Sequence, residues 1–377
     1  MILKKAVTGE GIRKLSQKTL SERLGWKVKG YKVDEKMLIE VLIKAAIDGE
    51  SIEAVSQDLE GVADGNSVRE ALNRVLRVEA LQEQEKQLNE ALADCLPEQM
   101  PREGLEWVID FHDEPFYGKS EKLKAYTVRG EAKEGTTYFW RIATLYVIWR
   151  QVRITLALRY VLPGENSLSV LEALLERGKA LGFSPQVLYL DKGFCSGPII
   201  RYLQRQEIPS LIACPIRGKA GGTRALCKGR KAYRSPYTFS DGTSVELALV
   251  PSLKRVQGDK RERTWLAFVL IHLDWPPKQA QKRYRRRFGV ESSYRQLGQL
   301  RAHSNSRNPA LRFFFLALAL FLLNLWVFLL CLACRLIQVG PFSIDPKSFR
   351  LNRFKAFLRR ALEQAYHSSL SIPIYTF

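Results

Sequence analysis

From Phe313 to Cys334 the only strongly polar side chain is Asn324. A segment this apolar has no wet side to offer, so it must be surrounded, by lipid or by the rest of the protein. Its length suffices for a membrane span. Two features argue for the other environment. The segment begins a few residues after a strongly basic stretch that has to join a soluble unit, and the sequence offers no second span beside it. We therefore expect the central helix of a large domain, with Asn324 hydrogen-bonded inside it and no membrane as partner. Cys331 and Cys334 fall in this run and read as core residues. A metal site would need further ligands, and the chain has only four histidines.

A chain of 377 residues is long enough for two or three domains with cores of their own. Its net charge of +20 points to a polyanionic partner. That charge is unevenly spread. Residues 1–36 carry ten Lys/Arg against four Asp/Glu, residues 37–100 five against fourteen, and residues 101–377 the remaining 44 against 21. The basic surface thus belongs to the larger C-terminal part and to a short N-terminal arm. Six cysteines form no disulfide framework and the N-terminus does not read as a signal peptide, so a reducing cytosol is the expected setting.

Residues 1–100 read as a helical N-terminal domain. Apolar residues recur at helical spacing from Val33 to Ile47, and Ser51 is placed to cap a following helix. Ser51–Leu59, a Gly61/Gly65 turn and Ser67–Val78 have the form of a helix–turn–helix, whose Arg69, Arg74 and Arg77 would meet phosphates or bases. A plain helical bundle with solvated arginines is the competing reading. From Leu105 the period changes. Strands are expected at 105–110, 138–148, 152–161 and 186–191, helices at Ser167–Leu181 and Gly197–Gln206, and a buried strand at Ser210–Pro215. That order is the order of an RNase H-like α/β core, taken to occupy residues 104–216 and to resume over 265–340. Residues 217–264 differ. They are Gly-rich, carry Lys228, Arg230 and Lys231 in a run without acids, and then read as short strands, so we expect a basic β-rich insertion. Residues 341–377 read as a basic amphipathic tail on the surface.

Within this framework three acidic residues stand out. Asp110 ends the apolar run Leu105-Glu106-Trp107-Val108-Ile109, Asp191 ends Val187-Leu188-Tyr189-Leu190, and Glu291 is the one acid among nine Lys/Arg between residues 278 and 307. Two carboxylates at strand ends and a third on a helix can converge although distant in sequence, and such a cluster offers hard oxygen ligands to Mg²⁺. Asp113 and Glu114 compete with Asp110 for the first position. Asp110 is preferred because it directly ends the strand, whereas Pro115 draws the others into a loop. His112 suits a structural or backbone-contacting role better than Mg²⁺ ligation. On a helix, Tyr284, Arg287, Glu291, Arg295 and Gly298 share one face, which would set Glu291 on metal and the cations beside it on phosphates.

The spacing Tyr284-x-x-Arg287-x-x-x-Glu291 resembles the signature of bacterial and archaeal insertion-sequence DDE transposases, in the branch whose catalytic helix reads Y-x2-R-x3-E-x6-K. Asp110-x-His112-Asp113-x-Pro115-x-Tyr117-Gly118 resembles the first-aspartate motif of one group in that branch. Leu190-Asp191-Lys192-Gly193-Phe194 resembles its second. Arg307-Asn308-Pro309 and Asn324-Leu325-Trp326 are similar too, so the likeness runs over about residues 105–335. It departs at Gly298, where the signature has its lysine; Arg295 and Arg301 stand near enough to replace that cation. The resemblance implies catalytic Asp110, Asp191 and Glu291 holding two Mg²⁺ ions, with Mn²⁺ as a substitute and Asp110 bridging. It implies DNA contacts from Tyr284, Arg285, Arg286, Arg287, Arg295, Arg301, Lys192, Lys228, Arg230 and Lys231. It further implies cleavage at the element's terminal inverted repeats, strand transfer to target DNA, a homodimer or larger assembly on DNA, and a cytoplasmic, nucleoid-associated location. The rival readings are a silent or domesticated DNA-binding descendant and a metal-dependent nuclease of the same fold.

Overall fold

The computed structural model describes residues 7–28, 30, 32–150, 152–255, 261–288, 296–337 and 342–368. Five helices come first: α1 (Gly9–Leu24), α2 (Glu35–Asp48), α3 (Ile52–Asp58), α4 (Gly65–Val75) and α5 (Leu81–Asp94). The first four start on side-chain caps from Thr8, Asp34, Ser51 and Asp64, which accept N–H groups the first turn leaves unpaired. α3 packs against α4, the pair read as helix–turn–helix. Arg69 and Arg74 lie at its surface beside Glu53 and Glu70.

Among the described residues nine strands form one sheet: β1 (Leu105–Pro115), β2 (Val128–Lys133), β3 (Thr136–Trp149), β4 (Val152–Val161), β5 (Pro185–Leu190), β6 (Ser210–Cys214), β7 (Tyr233–Thr238), β8 (Ser244–Arg255) and β9 (Arg261–Ile271). Their order is β2-β3-β1-β5-β6-β9-β8-β7, and β4 shares the outer side of β3 with β2. β1, β5 and β6 run parallel, and every other pairing is antiparallel. The chain is mixed α/β, as expected. β2 has no counterpart in the sequence reading, and β7 falls within the stretch expected as a β-rich insertion. Charged β2 (Val-Arg-Gly-Glu-Ala-Lys) lies on an outer side of the sheet. β7 is an edge strand carrying Pro236, a residue that suits an edge because it lacks a donor for the ladder.

Side chains alternate across this sheet. Trp107, Ile109, Leu188, Leu190 and Ile212 join the main core on one face, while Val108, Val187, Tyr189 and Leu211 form a smaller cluster on the other. The helices α7 (Ser167–Ala180) and α8 (Gly197–Arg205) pack in the main core, through Leu171, Leu174, Ile199 and Leu203. α7 approaches closely because Gly178 lies against Trp107; a Cβ there would come within 2.5 Å of the indole ring. The smaller face receives α9 (Pro277–Phe288) through Ala280 and Tyr284. A short α6 (Glu121–Lys124) precedes β2.

The apolar run becomes α10 (Pro309–Ile337), and 89% of its most apolar window is buried inside the protein. It lies against α5 and β4, so most of its hydrophobic surface is met by protein side chains, with Leu332 left exposed. Asn324 is 1% exposed and satisfied: its Oδ1 accepts from Thr155 N at 2.9 Å and its Nδ2 donates to Thr155 O at 2.8 Å. Asn89 of α5 does the same for Leu158, at 2.8 and 2.9 Å, and Glu85 accepts from Tyr160 N at 2.7 Å. The backbone groups of β4 that no strand reaches are thus paired by side chains from two helices. Cys331 and Cys334 are buried in the core, as read from sequence. α11 (Leu351–Tyr366), read as part of a surface tail, instead buries Phe354, Leu358 and Leu362 against α1 and α2. Arg359 pairs with Asp48 at 2.6 Å and Tyr366 Oη donates to Glu40 at 2.5 Å. Its basic composition describes the wet side alone.

Candidate active site

Parity along the strands decides where the first two acids point. Ile109 and Leu190 are register partners in the parallel β1–β5 pair, so Asp110 and Asp191 follow side by side. Asp110 falls in step with Val108, and Asp191 with Val187 and Tyr189. Both therefore face the α9 side. β1 continues to Pro115, paired with β3, whereas β5 ends at Leu190. Asp191 then caps a single 3₁₀ turn over Lys192–Phe194, its Oδ1 accepting from Gly193 N at 2.9 Å. The turn is held by Phe194, stacked on Phe111 with ring centroids 4.7 Å apart.

α9 supplies the counter-charge. Arg287, 7% exposed, donates from Nη2 to Asp110 Oδ1 at 2.8 Å and from Nη1 to Tyr284 Oη at 2.5 Å. Tyr284 in turn donates to the carbonyl of Leu190 at 3.2 Å, the residue before Asp191. One turn earlier, Arg283 pairs with Glu106 at 3.0 Å. The helix is thereby tied to both strand ends. Burial, and then the neighbouring Asp110 charge, hold the Asp191 carboxyl above its ordinary range; Arg287 and the N–H groups of Gly193 and Phe194 pull the other way. Burial pushes the Tyr284 phenol up to about 12. Two carboxylates and one guanidinium are thus gathered at the strand ends, each partly or wholly withdrawn from water. Residues 151–325 match the family model for the transposase DDE domain. Over that stretch the chain is similar to the transposase DDE domain. No curated protein matches the sequence.

The matched stretch runs from β4 into α10, so it contains Asp191, Tyr284 and Arg287 but not Asp110. Domains of this kind act in transposition, with DNA as partner and divalent metal ions as general requirement. The third acid expected from sequence, Glu291, and the cation Arg295 lie outside the described residues. Among the described residues no group of three or more His, Cys, Asp or Glu side chains gathers as a metal site. Tyr284 and Arg287, expected on DNA, are turned inward onto the strand ends. Lys192, Arg285 and Arg286 are exposed near the aspartates, Arg286 with Glu106 at 3.7 Å. Lys228, Arg230 and Lys231 are exposed in the turn before β7, on the edge of the sheet remote from β1.

The acids that competed with Asp110 have other partners. Asp113 receives two parallel hydrogen bonds from Arg141, both 2.7 Å, and Glu114 is buried with Arg301 at 2.6 Å and His112 at 3.6 Å. Arg301, read as a stand-in for the missing lysine, is thus paired with a carboxylate of the protein itself. Arg141 was not singled out from sequence. It stands opposite Asp113 in the β1–β3 register and also covers the Phe111 ring, a relation visible only once strands are paired.

Proposed function

We propose that this transposase cuts phosphodiester bonds at the ends of its own DNA element and joins the freed ends to target DNA, using Asp110, Asp191 and Glu291. The observation that carries the reading is the pair of carboxylates at neighbouring parallel strand positions, both directed at the helix that leads to Glu291. The strand order β4-β3-β1-β5-β6, three antiparallel and two parallel, supports an RNase H-like core, with β7 to β9 as an addition between Asp191 and Glu291. The donor chemistry fits the expected Mg²⁺ or Mn²⁺: hard carboxylate oxygens, partly buried, with the Asp191 carboxyl held above its ordinary range by burial and then by Asp110. A divalent cation bound there would supply Lewis-acid stabilisation of the phosphate, and a pair of them would serve both reacting oxygens.

The chain's own groups divide the remaining work. Asp110 and Asp191 present oxygens on one side of the sheet, and Tyr284 fixes α9 against Leu190 so that the pocket keeps its width. Arg287 holds Asp110 in place and screens the two acids from each other. Exposed Arg285 and Lys192 offer charge to the DNA backbone outside the pocket. Hydrolysis leaves a 3′-hydroxyl on the element; in the joining step that hydroxyl replaces water as nucleophile and a target 3′-oxygen leaves. Because both ends must be handled together, the working form is a dimer or larger assembly on DNA. The helical N-terminal part, with Arg69 and Arg74, is the candidate reader of the terminal repeats.

The test is cutting and joining in Mg²⁺ on a plasmid carrying the gene's flanking DNA, for the wild type and Asp191→Asn. Breaks at defined ends and joined products in the wild type, absent from a variant that still binds DNA, are expected. Equal cutting by both proteins would remove Asp191 from the reaction.

A further inference from the structure

Beside the candidate active site, a cavity of about 580 Å³ is lined by residues that the proposed chemistry leaves unused, among them Tyr117, Lys133, Trp140, Arg307 and Arg312. Its wall begins at His112 and Asp113, directly beyond Asp110 on β1.

Tyr117 is the most conspicuous part of it. The neighbouring Phe116 is buried edge-on against Trp140, with centroids 5.1 Å apart, while Tyr117 is 61% exposed. Gly118 permits this division, since a Cβ there would come within 2.2 Å of the Phe116 ring. The exposed ring is not loose. Its hydroxyl donates at 2.9 Å to the carbonyl of Glu134, in the β2–β3 turn. Glu134 and Gly135 both have positive φ there, 53° and 80°, the backbone of a tight hairpin turn that aims this carbonyl. A large ring is therefore held out to water by a hydrogen bond at its far end. Exposing an aromatic surface in a fixed orientation costs free energy that a stacking partner would recover.

The cations of the cavity point the same way. Arg312 is partly buried, donates to the carbonyl of Ser306 at 2.9 Å and lies over the Trp140 ring at 5.3 Å. Arg307 is exposed on the rim. Among the described residues neither makes an ion pair. Of the acids lining the cavity, Asp113 is matched by Arg141 and Glu134 by Lys133. Glu114 is matched by Arg301, with Arg312 also attracted to it, which leaves Arg307 over. The cavity thus combines unmatched positive charge with a presented π-face, the two elements by which proteins hold single strands. Resting on the transposase reading above, we propose that this cavity binds an unpaired nucleotide of the DNA end, its base stacked on Tyr117 and its phosphate against Arg307 and Arg312.

The experiment compares two fluorescent duplexes of the same element end, one blunt and one with a short single-stranded extension, bound to the full chain. A 2-aminopurine at the unpaired position reports stacking. Wild type should prefer the extended duplex by roughly tenfold, the scale of one base–aromatic stack, and quench the probe. Tyr117→Ala should lose both, Tyr117→Phe should keep them because the ring remains, and Arg307→Ala should weaken the preference and flatten its salt dependence. Thermal midpoints equal to wild type would show the exposed-site variants folded. If both duplexes bind, with no preference or one that Tyr117→Ala retains, this inference alone falls. If no variant and no wild type binds either duplex, the transposase reading falls with it.

Discussion

The two faces of the sheet are built from alternate residues of the same strands, yet they are held by different forces. On one side Trp107, Ile109, Leu188 and Leu190 enter a continuous apolar core closed by α5, α7 and α10. On the other, a small cluster around Val108, Tyr189 and Tyr284 anchors α9, and the charges of Arg287, Arg283, Glu106 and Asp110 complete the contact. The first face is stabilised by area removed from water. The second is stabilised by a few directed bonds, which leaves room for a reactive cleft beside them. Stability and reactivity have been separated by strand parity.

Substitutions should expose that separation. The largest effect is on Asp191→Asn, which should bring cleavage to background while leaving the metal-free melting point unchanged or higher, since it removes a carboxylate that burial and Asp110 disfavour. A marked fall in melting point would make Asp191 structural. Next, Arg287→Ala removes one side of the buried pair with Asp110, a loss of roughly 3–5 kcal/mol in metal-free buffer. Chemical denaturation with and without Mg²⁺ should show the ion restoring part of it. On the opposite face, Asn324→Leu strands the N–H and C=O of Thr155 inside the core, at roughly 2–4 kcal/mol, and no added ion should help.

Smaller, and dependent on pH, is the effect of Glu85. Burial, and secondarily the nearby Glu165, push its carboxyl up to about 7, against the Tyr160 N–H and Arg159. A folded value above the unfolded one means its contribution is complete below about pH 4.5 and lost as pH rises through about 7. Glu85→Gln should flatten that slope, gaining about 2–3 kcal/mol over wild type at pH 8 by denaturant midpoint. Least of all, Arg285→Ala should leave stability alone and lower the slope of log affinity against log salt by about 0.9. An unchanged slope would take Arg285 off the DNA backbone.

What was legible in the sequence follows the same division. The burial of α10, the end of β5 and the Ser51 cap were readable because periodicity and capping are local. The end of β1 was not, since the strand runs past Asp110 to Pro115 and holds Asp113 and Glu114 in its ladder and not in a loop. The pairing of Asp110 with Asp191 was readable as a convergence, since each ends an apolar run. That Arg287 is turned onto Asp110 was not. A helix-face argument fixes which residues stand together, but not whether that face looks inward. β2 escaped because its polar composition has no apolar alternation, and α11 because an amphipathic helix does not name the surface that receives it. Glu291, read with the same helix, lies outside the described residues.

The side-chain bonds along β4 carry a consequence for synthesis. Asn324 meets Thr155 across 169 positions of chain, so β4 leaves the ribosome long before the amide that completes it. At about 5–20 residues per second the interval is roughly 8–34 s. Throughout it the Thr155 position of the β4 edge, flanked by Ile154 and Leu156, lacks its partner and offers a place for another chain to join. A gene fragment ending before α10 should therefore yield aggregate, even though it encodes both aspartates.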